Sequence, residues 1–120
     1  MATIKSYTDL SQSKTLSKIL PLESADMCYS NDGTAIKIDA NPYTVRYSMW
    51  KDCVAEIIPC WSLATLLSVL DFPSLTQNKE DEWEVCVPNH QSDGYTEVLA
   101  SNPIDACVAM IEKLHEPNLL

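Results

Sequence analysis

The side chains best suited to nucleophilic chemistry are the five cysteines, and Cys60 has the most suggestive position among them. It stands two residues before Ser62, which can cap a predicted helix. A thiol near a helix N-terminus can become a reactive thiolate when a base lies beside it. The candidate base is His90, because His115 falls at the end of the last predicted helix. No pattern places His90 near Cys60, so a packed core cysteine is the favoured interpretation and no catalytic residue is predicted.

Cysteine and histidine could also hold zinc, and the candidate ligands are Cys53, Cys60, Cys86 and His90. Their spacings are Cys-x6-Cys and Cys-x3-His, and the chain lacks the Cys-x2-Cys pair common in structural zinc sites. Cys86 lies in an alternating strand pattern, so we expect it to face the core while His90 lies in a loop. The cysteines, mostly among apolar neighbours, are predicted to be buried reduced thiols, and neither a metal nor a cofactor is expected.

Phosphate-binding loops and dinucleotide fingerprints need several glycines, and this chain has two, Gly33 and Gly94. The Gly-x-Ser-x-Gly motif of hydrolases is absent as well. These common enzyme classes are therefore excluded, and the protein is predicted not to be an enzyme. A thiol- or zinc-dependent enzyme built on Cys60, Cys86 and His90 stays open as an alternative.

The chain is strongly acidic, with 17 acidic residues against 8 basic ones and a formal net charge of −9. Its lysines are scattered and Arg46 is its one arginine, so direct binding to DNA or RNA is not expected. Anionic membrane surfaces should repel it for the same reason. An acidic surface could instead bind a basic protein or imitate nucleic acid, although solubility explains it more simply.

Two further groups are candidates for interaction. Glu80, Asp81 and Glu82, with Glu84 on the other side of Trp83, form an acidic run. Such a run is usually a solvated loop, but it could coordinate a cation or present a negative patch to a partner. Trp61 is expected to anchor a helix against the sheet. With Trp50 it could instead form an aromatic patch for recognition or self-association.

The apolar spacings predict short helices and antiparallel hairpins without the strand–helix alternation of a parallel sheet, which indicates an α+β fold. We expect about three helices, two of which pack on one face of an antiparallel sheet built from hairpins. Residues 1–7 are predicted to be a flexible arm and residues 8–116 a single domain. The predicted elements are a helix from Thr8 to Leu20, strands at 27–30, 34–39 and 43–47, a helix over 62–71, a loop at 77–82, strands at 83–87 and 95–99, and a helix over 103–115.

Two helices have particularly clear signals. In the last one, Asn102 is a good N-cap and Pro103 occupies the first helical position, where its missing N–H costs nothing. In the first one, Leu10, Leu16, Ile19 and Leu20 can share a buried face, and Pro21 ends the helix.

The N-terminal 20 residues lack the apolar core of a signal peptide, and no apolar run approaches the roughly 20 residues of a membrane span. A cytoplasmic location is therefore expected.

The run Ile58-Pro59-Cys60-Trp61-Ser62-Leu63, together with Leu66-Leu67, Trp83-x-Val85 and Asn102-Pro103-Ile104-Asp105-Ala106, forms a recognisable layout. The segment Ala25-Asp26-Met27-Cys28-Tyr29 fits the same layout. It resembles small uncharacterised proteins from phage and prophage regions of gut Bacteroidales bacteria, over residues 16 to 115. The resemblance implies a bacterial cytoplasmic setting and an accessory gene, but no activity and no site residues.

These observations favour a noncatalytic protein interaction module of mobile-element origin that self-associates or binds a protein partner. The alternative from another class is an acidic mimic of nucleic acid that inhibits a host DNA-binding protein. Whether a small molecule binds is not indicated by any motif.

Overall fold

The computed structural model describes residues 5–29, 35–37, 58–89 and 94–117. The predicted strand 43–47, Trp50, Cys53 and His90 lie outside these residues. The described helices are α1 (Leu10–Leu16), α2 (Leu63–Val69) and α3 (Pro103–His115), with a 3₁₀ turn at Leu22–Ser24. The described strands are β1 (Met27–Tyr29), β2 (Ala35–Lys37), β3 (Ile58–Cys60), β4 (Ser74–Gln77), β5 (Trp83–Pro88) and β6 (Tyr95–Ala100).

The chain divides into two compact units, and the division falls within α2. Residues 7–65 form one of them, called here the N-unit. Residues 66–120 together with residues 1–6 form the other, called the C-unit. The single domain predicted for residues 8–116 stays a prediction. Within the predicted N-terminal arm, Lys5 makes an ion pair with Asp105 at 2.9 Å, both in the C-unit.

Helix α1 begins at a capping box, a local signal that fixes its first residue. The Asp9 carboxylate accepts a hydrogen bond from the main-chain N–H of Gln12 at 2.8 Å, and the Gln12 side chain accepts one from Asp9 N at 3.1 Å. The helix buries Ser13 and Leu16. The predicted apolar face is wrong at Leu10, which is 42% exposed, because the helix begins at this residue and its buried face lies elsewhere.

The N-unit contains a three-stranded antiparallel sheet in the order β2–β1–β3. The β1–β2 pairing places Met27 opposite Lys37, which confirms the first predicted hairpin pairing. On the other side of β1, Met27 pairs with Cys60. Helix α1 packs against β3.

The C-unit contains a second three-stranded antiparallel sheet, in the order β4–β5–β6. The hairpin of β5 and β6 is confirmed, with Val85 opposite Val98. Strand β4 was not predicted, because in Ser74–Gln77 a single apolar residue, Leu75, offers no alternation to detect. The predicted loop therefore begins one residue later, at Asn78.

Helix α3 begins where the sequence predicts. The Asn102 side chain accepts a hydrogen bond from Asp105 N at 2.8 Å, and Pro103 stands in the first turn. The helix packs across β5 and β6 and buries one continuous apolar face. Its buried residues include Ile104, Cys107, Val108, Ile111 and Leu114, the five predicted to form that face.

The α+β class is therefore confirmed, and the hairpin strands belong to two sheets. Two helices were predicted to pack on one face of a sheet, and α3 does pack on the second sheet. The placement of the 62–71 helix on the same face stays a prediction. Within the described residues, no helix combines the length and apolar character that a bilayer crossing requires.

Candidate functional site

The β4–β5–β6 sheet has one face under α3 and a second face with a different set of side chains. Successive residues of a strand point to opposite sides, so the buried Val85 and Val87 place Glu84 and Cys86 on the side away from α3. Directly opposed residues of antiparallel strands share a face, and the register sets Glu97 opposite Cys86. We call this side the outer face; its members are Ser74, Thr76, Glu84, Cys86, Pro88, Tyr95, Glu97 and Leu99.

The outer face presents large apolar side chains to solvent. Tyr95 is 69% exposed and Leu99 is 52% exposed, on either side of Glu97 along β6. Elsewhere in the C-unit, Phe72 is 79% exposed and has a left-handed backbone, with φ of 49°. An aromatic residue in that conformation carries backbone strain of about 1–2 kcal/mol. Among its described residues, the unit thus exposes three large apolar side chains.

At the centre of the outer face, Glu84, Cys86 and Glu97 form a compact polar group. One ligand atom from each side chain lies within 4.8 Å of the other two. The Cys86 thiol donates a hydrogen bond to Glu84 Oε1 at 3.4 Å. Partial burial raises the pKa of Cys86 to about 11, and the hydrogen bond to Glu84 and the negative charges of both glutamates add to that rise. The thiol is therefore protonated at neutral pH.

The acidic run predicted as a candidate interaction site lies in the turn between β4 and β5. Glu80 and Asp81 are exposed and Glu82 is half-buried. The Asn78 side chain holds the turn, because its Oδ1 accepts hydrogen bonds from Glu80 N at 2.9 Å and from Glu82 N at 3.0 Å. Since Gln77 pairs with Trp83, this turn lies at the end of the sheet where Glu84 pairs with Leu99. The acidic turn therefore continues the charge of the outer face.

Trp61, the other candidate interaction residue within the described chain, is fully buried. Its indole N–H donates a hydrogen bond to Ser24 Oγ at 2.9 Å. This burial supports the core-anchor interpretation, since the side chain exposes no surface to a partner. Trp50 lies outside the described residues.

Cys60, the candidate nucleophile, is fully buried in the N-unit. Its thiol donates a hydrogen bond to the main-chain oxygen of Thr8 at 3.4 Å. Burial raises the pKa of Cys60, although hydrogen bonds from Thr8, Ser13 and Tyr29 act in the opposite direction. A nucleophile requires a lowered pKa, so this environment disfavours the thiolate. Cys86 belongs to the other unit and His90 lies outside the described residues.

The prediction that the cysteines are buried thiols is confirmed for Cys28, Cys60 and Cys107. It is wrong for Cys86, which is partly exposed on the outer face. The apolar neighbours Val85 and Val87 predict an apolar environment for Cys86. In a strand, however, neighbours in sequence point to the opposite face from the residue between them.

The chain matches no protein-family model, and searches of curated proteins and of solved structures find no match either. Its function must therefore be inferred from the geometry of the described residues.

Sequence reasoning did not identify Glu97 as part of a site. The spacing of Glu84 and Cys86 around the apolar Val85 and Val87 is a signal that these two share the polar face of a strand. Glu97 joins them through the register of the β5–β6 hairpin. Six residues, 89–94, separate the two strands. This is longer than the two-residue loop whose sequence fixes the register of a hairpin.

Proposed function

We propose that the protein is a noncatalytic binding module that holds a basic protein partner on the outer face of its C-unit sheet. The observation that carries this proposal is the exposure of Tyr95 and Leu99 beside acidic side chains. Aromatic and large aliphatic residues are the usual anchors of protein interfaces, and exposed apolar patches mark such surfaces.

Charge supports a basic partner. Glu84 and Glu97 are the two charged residues in the strands of this sheet, and the adjacent turn adds Glu80, Asp81 and Glu82 against Lys79. Complementary charge steers association and suppresses wrong partners. Two copies meeting through this face would oppose like charges, so self-association is the weaker form of the proposal.

A binding role rather than catalysis is supported by the cysteines. The raised pKa values of Cys60 and Cys86 keep both thiols protonated at neutral pH, which disfavours nucleophilic attack. As an extension of the same proposal, the resemblance to small phage and prophage proteins supports a role as an accessory protein of a bacterial mobile element, acting in the cytoplasm.

The proposal is tested by affinity capture from a gut Bacteroidales lysate with the full chain immobilised and a chelator present. The test variant combines Tyr95→Ser with Leu99→Ser. The matched control is Leu10→Ser, which removes an exposed leucine from the N-unit. We expect a basic protein to be retained by the wild type and the control, released by high salt, and lost from the double variant.

Retention of the same proteins by the double variant would contradict the proposal. A second experiment measures the oligomeric state of the isolated chain by analytical ultracentrifugation. A dimer that is abolished by Tyr95→Ser with Leu99→Ser would identify a second copy, rather than a basic protein, as the occupant of the outer face.

A further inference from the structure

We propose that Glu84, Cys86 and Glu97 form a binding site for a single Zn²⁺ ion on the outer face. This inference does not depend on the proposed partner, since it concerns the isolated chain. It assigns a site that combines a thiol with two carboxylates, a donor set different from the cysteines and histidine considered as zinc ligands in the sequence.

The separation of the donor atoms fits zinc. With Zn–S of about 2.3 Å and Zn–O of about 2.0 Å, a tetrahedral ion holds sulfur and oxygen about 3.5 Å apart. Cys86 Sγ and Glu84 Oε1 lie 3.4 Å apart. One Glu97 carboxylate oxygen lies within 4.8 Å of both, and this exposed side chain would supply the third ligand.

The β-sheet holds these donors in place before any ion arrives. Glu84 and Cys86 are two residues apart on β5, the central strand, and therefore point the same way. Glu97 is the direct cross-strand partner of Cys86. Sites built on paired strands lose less conformational freedom on binding than sites on loops. Three protein ligands leave a fourth position for water or for a group from a partner.

The electrostatics also favour a dication. Two carboxylates and a thiol that can ionise share the site. A bound Zn²⁺ would compensate both carboxylates and take the place of the thiol proton, which moves to solvent as Cys86 becomes a thiolate.

The mixed donor set selects the class of metal. A thiolate is a soft ligand that suits zinc and related ions, whereas Mg²⁺ and Ca²⁺ require octahedral or larger shells of oxygen. The group of three therefore matches an ion that accepts sulfur and oxygen together in a four-coordinate shell.

Cobalt(II) is the probe, because a Co²⁺–thiolate bond gives a charge-transfer absorption that a Co²⁺–carboxylate bond does not. The reduced, chelator-treated full chain is titrated with Co²⁺, and Zn²⁺ is then added. We expect the band to saturate at one equivalent and to disappear when Zn²⁺ displaces the cobalt. Cys86→Ala should abolish the band. Glu84→Gln and Glu97→Gln should each weaken binding at least tenfold.

Glu80→Gln is the matched control, since it removes an exposed carboxylate from the neighbouring turn and should leave the titration unchanged. Absence of the band from the wild type would overturn the proposal. A band of undiminished strength in Cys86→Ala would also overturn it, by assigning the thiolate to another cysteine. If circular dichroism shows that Cys86→Ala does not fold, Glu97→Gln decides, because it alters an exposed side chain. Unchanged affinity in that variant would contradict the site.

Discussion

The two units use the same kinds of reactive side chain in opposite ways. In the N-unit, the side chains of Cys60, Tyr29 and Asp26 form hydrogen bonds within the fold. In the C-unit, a cysteine and two glutamates meet on an open sheet face. Residue types suited to chemistry therefore do not by themselves mark a site. Whether they form one depends on whether the strand directs them into the core or towards solvent.

The N-unit network is centred on Thr8, which is fully buried. Its hydroxyl lies 2.8 Å from Ser13 Oγ and accepts a hydrogen bond from Trp61 N at 3.1 Å. Its main-chain oxygen accepts hydrogen bonds from the Tyr29 hydroxyl at 2.6 Å and from Cys60. Buried polar groups need such partners, so this network stabilises the unit.

The largest expected effect comes from the core anchor of the N-unit. Trp61→Ala removes a fully buried side chain and should lower the free energy of unfolding by about 3–5 kcal/mol. Tyr95→Ala, in the outer face, should change it by less than about 0.5 kcal/mol, because that ring is largely exposed. Urea denaturation of the two variants measures the contrast. Equal losses would show that the outer face is a covered surface.

A smaller effect is expected at Asp26, whose carboxylate ties the start of α2 to the N-unit. It accepts hydrogen bonds from Ser62 N at 2.9 Å and from the Ser62 hydroxyl. Asp26→Ala should cost about 1–3 kcal/mol, because Ser62 loses its charged partner. Glu23→Ala, an exposed carboxylate of the same unit, is the control and should cost less than about 0.5 kcal/mol. A negligible cost for Asp26→Ala would show that the network is not structural.

High pH should destabilise the N-unit through its buried acids. Burial raises the pKa of Tyr29 to about 12 from its ordinary value of 10. Between these values the unfolded chain has lost the phenolic proton and the folded chain keeps it, so stability falls as pH rises. The slope for this group is at most about 1.4 kcal/mol per pH unit. The free energy of unfolding, measured by denaturation at several pH values between 10 and 12, should therefore fall less steeply with pH in Tyr29→Phe than in the wild type. An identical pH dependence in the two proteins would contradict the raised pKa of Tyr29.

The predictable parts of the fold were those with local signals. Asn102 and Pro103 predict the start of α3, and the apolar spacing after them predicts its buried face. The short edge strand β4 was not predictable, because its single apolar residue, Leu75, cannot show the alternation of apolar and polar residues that indicates a strand. Leu10 was misplaced because a helix can begin at an apolar residue without burying it.

The candidate site was less predictable because it depends on a pairing between strands. The sequence shows Glu84 and Cys86 on one side of β5, but the position of Glu97 beside them follows from a register that only the folded hairpin defines. The acidic turn at 80–82 was identified correctly as a surface loop, since charge runs are favoured there.

The most direct test of the contrast between the two units is alkylation of the native, reduced chain with a neutral thiol reagent, followed by peptide mass mapping over time. Among the described cysteines, Cys86 should be modified first, at a rate that increases as pH approaches 11. Cys28, Cys60 and Cys107 should react after unfolding. Modification of Cys60 before Cys86 in the folded chain would contradict the assignment of a closed N-unit network and an open C-unit face.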